Sequence, residues 1–208
     1  MIRLIAFDLW QTPAYRDVEY STTTRVLEAT GVDIPKDKFV KIFEESVQTK
    51  KWKSKKEAYG NLCRNMGLEP NEHNVNLVME IRDKAEEKTK LYPHTISMLE
   101  QLRKQGYKTG LVSNSSVFAV EHIREKTNLL EHIDYPLFSF DVEVIKPELK
   151  FFHELLRISG CRPKEAIMVG DKLHDDVNPP KSIGMNAIHF RDYEQLKKEF
   201  SLYNIQLK

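Results

Sequence analysis

The sequence has few cysteines, almost no net charge and no long apolar run. Cys63 and Cys161 are its two cysteines, and they fall far apart in different predicted layers, so we expect both to be reduced and buried. A formal charge of +1 over 208 residues gives no electrostatic reason to expect nucleic acid or an anionic membrane as a partner. No apolar run approaches the roughly 20 residues of a membrane span, and Met1 leads into a predicted strand rather than a signal peptide. We therefore expect a cytoplasmic protein, either a monomer or a homodimer.

The chain opens with a short apolar strand that ends at an acidic residue. Leu4 to Phe7 are apolar without alternation, which is typical of a strand buried on both faces of a parallel sheet. Asp8 follows at the carboxyl end of that strand, where open α/β sheets bind their ligands. A carboxylate is costly to bury there unless it is paired or has a use, although Asp8 could also cap a helix or turn.

The next seventy residues are predicted to be helical. Apolar residues at helical spacing indicate one helix before Gly31, a second after Pro35, a third that ends at Gly67, and a fourth around residues 75–81. No strand is predicted among them. We interpret residues 16–88 as a small all-helical domain, too small to be very stable alone and therefore packed on the rest of the protein.

From Leu91 onward, predicted strands and helices alternate. The strands are expected at residues 107–114, 138–140, 165–171 and 186–190, and the helices at residues 95–105, 117–126, 149–159 and 181–183. A last amphipathic helix follows Asp192. This alternation predicts a parallel sheet with helices on both faces, in a domain made of residues 1–15 and 89–208.

Polar residues follow the carboxyl ends of the predicted core strands. They are Asp8, Ser113 with Asn114, Lys146 and Asp171. Because parallel strands bring these ends to the same edge of the sheet, we expect the side chains to meet in one cleft.

Four short motifs occur in order along the chain and are spread over most of its length: FDLWQT, LVSNS, IKPE and VGDKLHDDV. In this arrangement the chain resembles the haloacid dehalogenase superfamily, which includes phosphatases, dehalogenases, phosphonatases and mutases. The resemblance implies a Rossmann-like three-layer α/β core, with the helical segment as a cap inserted after the first motif.

The same resemblance assigns roles to individual residues. Asp8 would be the nucleophile that forms an aspartyl intermediate, Ser113 would hydrogen-bond the transferring group, and Lys146 would neutralise its charge. Thr12 matches the residue that positions the nucleophile loop, and we predict Thr12 and Asn114 as substrate-binding residues.

The acidic residues predict a magnesium site. Asp171 beside Asp8 would be a repulsive pair unless a cation lay between them, and Mg²⁺ prefers oxygen ligands. The resemblance adds the backbone carbonyl of Trp10 and the carboxylate of Asp176 as ligands, with Asp175 adjacent.

Trp10 departs from the family's phosphatase pattern, in which an Asp at this position acts as general acid and base. A missing general acid is typically worth about 10²- to 10⁴-fold in rate, so the sequence argues against a fast ordinary phosphomonoesterase. An aromatic residue here and Asn114 resemble the family's dehalogenases, whereas the acidic fourth motif resembles its metal-dependent phosphatases.

Three functions remain open at this point. We favour a Mg²⁺-dependent phosphatase that acts on a small phosphorylated metabolite through an aspartyl-phosphate on Asp8, because the retained acidic residues are hard to explain without an ion. A 2-haloacid dehalogenase-like hydrolase is the second, and a non-catalytic relative, favoured by Trp10 and Pro13, is the third.

Two further features have weaker functional interpretations. His174 in the fourth motif could face the cleft and assist a leaving group. The basic run at residues 50–56 could draw in anionic substrates, but a solvated helix face is the simpler interpretation.

Overall fold

The computed structural model describes residues 1–208 and contains seven strands and ten α-helices. The strands are β1 (Leu4–Phe7), β2 (Ala14–Arg16), β3 (Thr89–Leu91), β4 (Lys108–Ser113), β5 (Tyr135–Phe138), β6 (Ala166–Gly170) and β7 (Asn186–His189). The helices are α1 (Thr22–Thr30), α2 (Lys36–Val47), α3 (Lys55–Asn65), α4 (Glu72–Glu86), α5 (Thr95–Lys104), α6 (Val117–Lys126), α7 (Ser139–Val142), α8 (Leu149–Ser159), α9 (Asn178–Ser182) and α10 (Tyr193–Ser201).

A five-stranded parallel sheet forms the centre of the protein. Its strand order is β5-β4-β1-β6-β7, so β1 lies in the middle with β4 and β6 on either side. Ile5 and Phe7 pack into one hydrophobic cluster, while Leu4 and Ala6 pack into another on the opposite face. The continuous apolar run at the start of the chain is explained by this burial on both faces, and the predicted three-layer α/β core is confirmed.

The central strand sets the position of the cleft. The parallel register pairs Phe7 with Leu111 of β4 and with Val169 of β6. The three strands therefore end within two residues of the same level, and the polar residues at and after their ends share one edge of the sheet.

The strand predicted at residues 138–140 was misplaced by about three residues. The structure has a strand over Tyr135–Phe138, and Ser139 instead begins the short helix α7. Pro136 obscured this strand in the sequence, because proline has no backbone N–H to donate to a sheet. It is tolerated here because β5 is an edge strand.

Four helices, α1 to α4, occupy the segment that follows β2. Eleven buried residues from these helices and the turn after α3 form a hydrophobic cluster of their own, against which Phe118 of α6 also packs. The sequence missed the antiparallel pair of β2 and β3, in which Tyr15 pairs with Lys90 at the base of the helical segment. The strand therefore extends to Arg16, one residue into the segment predicted to be helical, and the assignment of residues 16–88 as a separate cap domain stays a prediction.

A helix was predicted at residues 181–183, but the helical structure after β6 begins earlier in the chain. A π-helical turn over Leu173–Val177 leads directly into α9, which begins at Asn178. Pro179 and Pro180 lie in the first turn of α9, where a missing backbone N–H costs little.

The two cysteines and the lack of a long apolar run can now be compared with the structure. Cys63 and Cys161 are both free and buried, as predicted, and belong to different hydrophobic clusters. None of the helices combines the length and apolar character that crossing a membrane requires.

Candidate active site

Three carboxylates meet at the carboxyl edge of the sheet. Oxygen atoms of Asp8, Asp171 and Asp176 all lie within 4.8 Å of one another. Asp8 follows β1, Asp171 follows β6, and Asp176 projects from the π-helical turn. Asp8 is 6% exposed and Asp176 is fully buried. Such a cluster is electrostatically unfavourable without compensating positive charge.

Lys146 supplies part of that charge. Its Nζ donates to Oδ1 of Asp8 at 2.6 Å and to Oδ1 of Asp176 at 2.5 Å, and the residue is 4% exposed. Asn114 holds the lysine's backbone, because its Oδ1 accepts from the backbone N of Lys146 at 2.8 Å. When all three carboxylates are ionised, they and the one ammonium leave two negative charges in the cluster. This net charge and the oxygen donors suit a divalent cation such as Mg²⁺.

The pKa values reflect this crowding. Burial, together with the charges of Asp176 and Asp171, raises the pKa of Asp8 to about 7 despite the opposing effect of Lys146. Burial alone would lower the pKa of Lys146, but the charges of Asp8 and Asp176 outweigh it, so the net shift is upward and the lysine stays protonated. Burial and the charge of Asp176 also raise the pKa of Asp171.

Gly170 makes room for the Asp176 carboxylate. A Cβ added at position 170 would lie 2.5 Å from the Asp176 side chain. The remaining Asp176 oxygen, Oδ2, accepts from the backbone N of Lys172 at 3.0 Å, so both carboxylate oxygens are held by protein donors.

We expect Gly170→Ala to displace Asp176 and to lower the free energy of unfolding by about 1–3 kcal/mol, the usual cost of overpacking. The matched control is Gly60→Ala on α3, where a Cβ would meet only Val75 Cγ2, at 3.9 Å. There the better helix propensity of alanine should increase the free energy of unfolding by about 0.5–1 kcal/mol. Equal effects of the two substitutions in urea denaturation would show that Asp176 does not depend on this close approach.

The serine of the second motif belongs to a buried hydrogen-bond chain. Trp10 Nε1 donates to Ser115 Oγ at 3.0 Å, and Ser115 Oγ lies 3.0 Å from Ser113 Oγ. Because indole can only donate, Ser115 accepts from Trp10 and can direct its own proton to Ser113. That arrangement leaves the Ser113 hydroxyl proton free for another acceptor.

The Trp10 ring is held from the other side by the base of the helical segment. The Arg16 guanidinium lies over the ring at 3.5 Å from its centroid and donates to both carboxylate oxygens of Glu86, at 2.8 and 3.0 Å. Arg16 and Glu86 belong to β2 and α4. The indole thus fills the position where the family's phosphatases have an acid.

The cleft itself is a cavity of about 80 Å³. Its wall is formed by Asp8, Trp10, Gln11, Glu44, Asn114, Lys146, Asp171, Lys172 and Asp175. Five of the predicted site residues therefore share one cavity, namely Asp8, Trp10, Asn114, Lys146 and Asp171.

Three predicted residues lie behind the cavity wall. Ser113 and Asp176 are fully buried and connect to the wall through the hydrogen bonds described above. Thr12 is also buried, and its Oγ1 has no hydrogen-bond partner. Thr12 is not part of the cavity wall, and its role as a substrate-binding residue stays a prediction.

Three residues of the wall were not predicted from the sequence: Gln11, Glu44 and Lys172. Gln11 adopts a left-handed backbone conformation (φ 59°), and its Oε1 accepts from Tyr92 OH at 3.2 Å. Glu44 lies on α2, where it is one of two adjacent glutamates with no motif to distinguish them. Lys172 was visible within the fourth motif but had no assigned role.

The weaker candidates do not reach the cleft. The His174 side chain is 82% exposed, pairs with Asp175 at 2.9 Å and is not part of the cavity wall. Lysines of the basic run form ion pairs elsewhere: Lys51 with Asp141 at 2.7 Å and Lys55 with Asp83 at 2.6 Å.

Comparison with known proteins agrees with this arrangement. A sequence model described as haloacid dehalogenase-like hydrolase matches residues 16–190. Over 97 residues the chain is 32% identical to a glyceraldehyde 3-phosphate phosphatase of Methanothermobacter thermautotrophicus; the alignment covers 47% of this chain and 43% of the relative. The match therefore spans less than half the length of that relative.

Solved structures share the fold over nearly the whole chain. A family enzyme of Bacteroides thetaiotaomicron in complex with magnesium and inorganic phosphate has a TM-score of 0.70 at 16% identity, covering 94% of this chain and 99% of that one. A 2-haloacid dehalogenase of Pseudomonas syringae has a TM-score of 0.63 at 18% identity, covering 98% and 100%. At these identities the likeness concerns the fold alone. With the sheet order, the four motifs at one edge and the matching family model together, the chain belongs to the haloacid dehalogenase-like hydrolases.

Proposed function

We propose that this hydrolase is a magnesium-dependent phosphatase that acts on a small phosphorylated metabolite through an aspartyl-phosphate on Asp8. The observation that carries the proposal is the cluster of Asp8, Asp171 and Asp176 around Lys146, with its net charge of two negative units. Such a cluster can bind a cation next to the nucleophile, because Lys146 alone leaves the ionised carboxylates with excess negative charge.

Each residue has a role that follows from its position. Asp8 attacks phosphorus, and Lys146 at 2.6 Å holds the nucleophile in place and offsets the charge of the transferring group. Asp8, Asp171, Asp176 and the Trp10 carbonyl would hold Mg²⁺, which when bound supplies charge stabilisation to the phosphoryl oxygens. Ser113 is buried directly behind the cavity wall, and we propose that its free hydroxyl proton is donated to the phosphoryl group once substrate is bound.

The size of the cavity supports a small substrate. The cavity beside Asp8 has a volume of about 80 Å³. A cavity of this size favours a substrate that is little larger than its phosphoryl group.

A dehalogenase is the second candidate, because Trp10 places an aromatic ring in the cavity wall beside Asp8. Its substrate would carry a carboxylate into a site where Asp171 and Asp176 already repel anions. The two functions differ in their need for a bound cation: a phosphatase would use these carboxylates to bind Mg²⁺, whereas a metal-free dehalogenase would be hindered by them.

The assay that tests the proposal measures phosphate release from acetyl phosphate and from an aryl phosphate, with Mg²⁺ and with EDTA. Release only with Mg²⁺ is the expected result. Halide release from chloroacetate in EDTA would contradict the phosphatase and support the dehalogenase, and no turnover of any substrate would support the non-catalytic relative.

We expect Mg²⁺ to stabilise the protein more at high pH than at low pH. The folded-state pKa of Asp8 is raised from 3.8 to about 7, so its contribution to stability is fully present below about pH 4 and is lost as the pH rises through 7. Without Mg²⁺, the free energy of unfolding should therefore fall by a few kcal/mol between about pH 5 and pH 8.

Saturating Mg²⁺ should offset this fall, because a ligand at 100 times its Kd adds about 2.7 kcal/mol. Thermal denaturation in EDTA and in Mg²⁺ at the two pH values measures the effect. A Mg²⁺ effect that is the same at both pH values would contradict binding at Asp8.

A further inference from the structure

The site lacks a proton donor for the leaving group at the expected position. Trp10 occupies that position, and its only polar hydrogen is already donated to Ser115 Oγ. An alkoxide that leaves without a proton is a poor leaving group, so fast hydrolysis of alkyl phosphates needs an acid from another part of the wall.

The helical segment contributes one acidic side chain to this wall. Glu44, near the end of α2, lines the same 80 Å³ cavity as Asp8 and Lys146. Glu44 belongs to the helical segment, whereas Asp8 and Asp171 follow strands of the sheet, so the cavity lies between elements of both.

The core holds this end of α2 in place. Ser139 Oγ donates to the backbone carbonyl of Gln48, one turn beyond Glu44, at 2.6 Å. The same Ser139 oxygen accepts from the backbone N of Ser115 at 3.1 Å, which ties α2 to the second motif. Lys51 adds an ion pair with Asp141 at 2.7 Å. These contacts hold the end of α2 that follows Glu44 against the core; the hydrogen bonds of Ser139 are buried, whereas the Lys51 side chain is 64% exposed.

The other titratable groups in the wall are less suited to give up a proton. Asp175 is paired with Lys172 at 3.4 Å and with His174 at 2.9 Å, so it acts as an acceptor. Burial alone would lower the pKa of Lys172, but the charges of Glu44 and Asp175 outweigh it and raise this pKa. Lys172 therefore holds its proton more tightly than an ordinary lysine.

The carboxylate oxygens of Glu44 have no nitrogen of a lysine, arginine or histidine side chain within 4.0 Å, so Glu44 forms no ion pair. Burial raises its pKa above the ordinary value, and the charge of Asp175 acts in the same direction. Lys172, the Asn114 side chain and Lys146 oppose that shift without cancelling it. The remaining charged groups of the wall are Asp8 and Asp171.

We propose that Glu44 is the catalytic proton donor and acceptor of this enzyme, acting from the helical segment in place of the acid that Trp10 replaces. This inference rests on the proposed phosphatase function. As the bond from Asp8 to phosphorus forms and the bond to the leaving oxygen breaks, the Glu44 proton passes to that oxygen and an alcohol departs. Glu44 then takes a proton from water as the water oxygen attacks phosphorus. The bond to Asp8 breaks, phosphate leaves, and Asp8 is again a free carboxylate beside a protonated Glu44.

The test compares two leaving groups in single-turnover experiments with Mg²⁺. Glycerol phosphate releases an alkoxide that needs a proton, whereas para-nitrophenyl phosphate releases a phenolate that does not. Glu44→Gln keeps the shape of the side chain, and Glu45→Gln is the matched control, since Glu45 is the next residue of α2 and its side chain is 54% exposed.

For Glu44→Gln we expect about a 10²-fold or larger loss in cleavage of glycerol phosphate, with nitrophenolate release in the first turnover within about threefold of the parent protein. Later turnovers of the aryl phosphate should be slow, which gives a burst, because the water attack also needs Glu44. Glu45→Gln should behave like the parent protein.

Two results would overturn the role of Glu44 and leave the proposed phosphatase function standing. Equal losses on both substrates would indicate a purely structural side chain, and no loss on glycerol phosphate would exclude it as the acid. If the parent protein transfers no phosphoryl group from either substrate, the proposed function and this inference both fail.

Discussion

Asp8→Asn should abolish phosphate release from every substrate, lowering turnover by about 10⁴-fold or more. The amide has nearly the same shape as the carboxylate but is a very weak nucleophile, so no aspartyl-phosphate can form. The loss of one charge from a cluster of three carboxylates removes repulsion from Asp171 and Asp176. We therefore expect the variant to remain folded, with unchanged circular dichroism.

The matched control for this substitution is Asp33→Asn, which makes the same chemical change at an exposed position. It should retain full turnover. Residual Mg²⁺-dependent turnover in Asp8→Asn above the level of a contaminant would show that another residue is the nucleophile.

Lys146→Met should have the largest effect on stability. The ammonium is buried and donates to Asp8 and Asp176 at 2.6 and 2.5 Å. Removing one partner of a buried ion pair leaves an uncompensated charge and typically costs about 3–5 kcal/mol. The loss in free energy of unfolding should be greatest above about pH 7, where Asp8 is ionised in the parent protein and is compensated by the ammonium. At acidic pH, where Asp8 is protonated, the loss should be smaller.

Turnover by Lys146→Met should also fall, by about 10²- to 10³-fold, because a positive charge next to the transferring group is lost. Lys104→Met changes an exposed lysine at the end of α5 and should alter the free energy of unfolding by less than about 0.5 kcal/mol. Urea denaturation at two pH values measures both effects. An unchanged free energy of unfolding in Lys146→Met would contradict the charge balance described for the cluster.

The sheet and its catalytic edge could be predicted from the sequence because their physical constraints are local. A strand buried on both faces must be continuously apolar, and a polar residue at its end is visible in the sequence, as with Asp8 and Asp171. Parallel pairing then brings such ends together without further information. The helix bounds were similarly predictable where Gly106 and Gly160 end a helix.

The rest of the site depends on contacts between distant segments. Glu44 lies on a helix with an ordinary amphipathic pattern, and only the packing of α2 on the core brings it to the cavity. The hydrogen bond from Trp10 to Ser115 joins residues 105 positions apart, and no local pattern indicates it. The sequence left the orientation of His174 open for the same reason, since the π-helical turn that carries it has no clear sequence signal.

The most direct test of the account is to trap the phosphorylated enzyme. The protein would be mixed with acetyl phosphate in Mg²⁺, quenched in acid within the first turnover, digested with pepsin at acidic pH and analysed by mass spectrometry. We predict one added phosphoryl group on the peptide that contains Asp8, present with Mg²⁺ and absent in EDTA or in Asp8→Asn. A phosphoryl group on any other residue, or rapid phosphate release with no labelled Asp8 at any time point, would contradict the account.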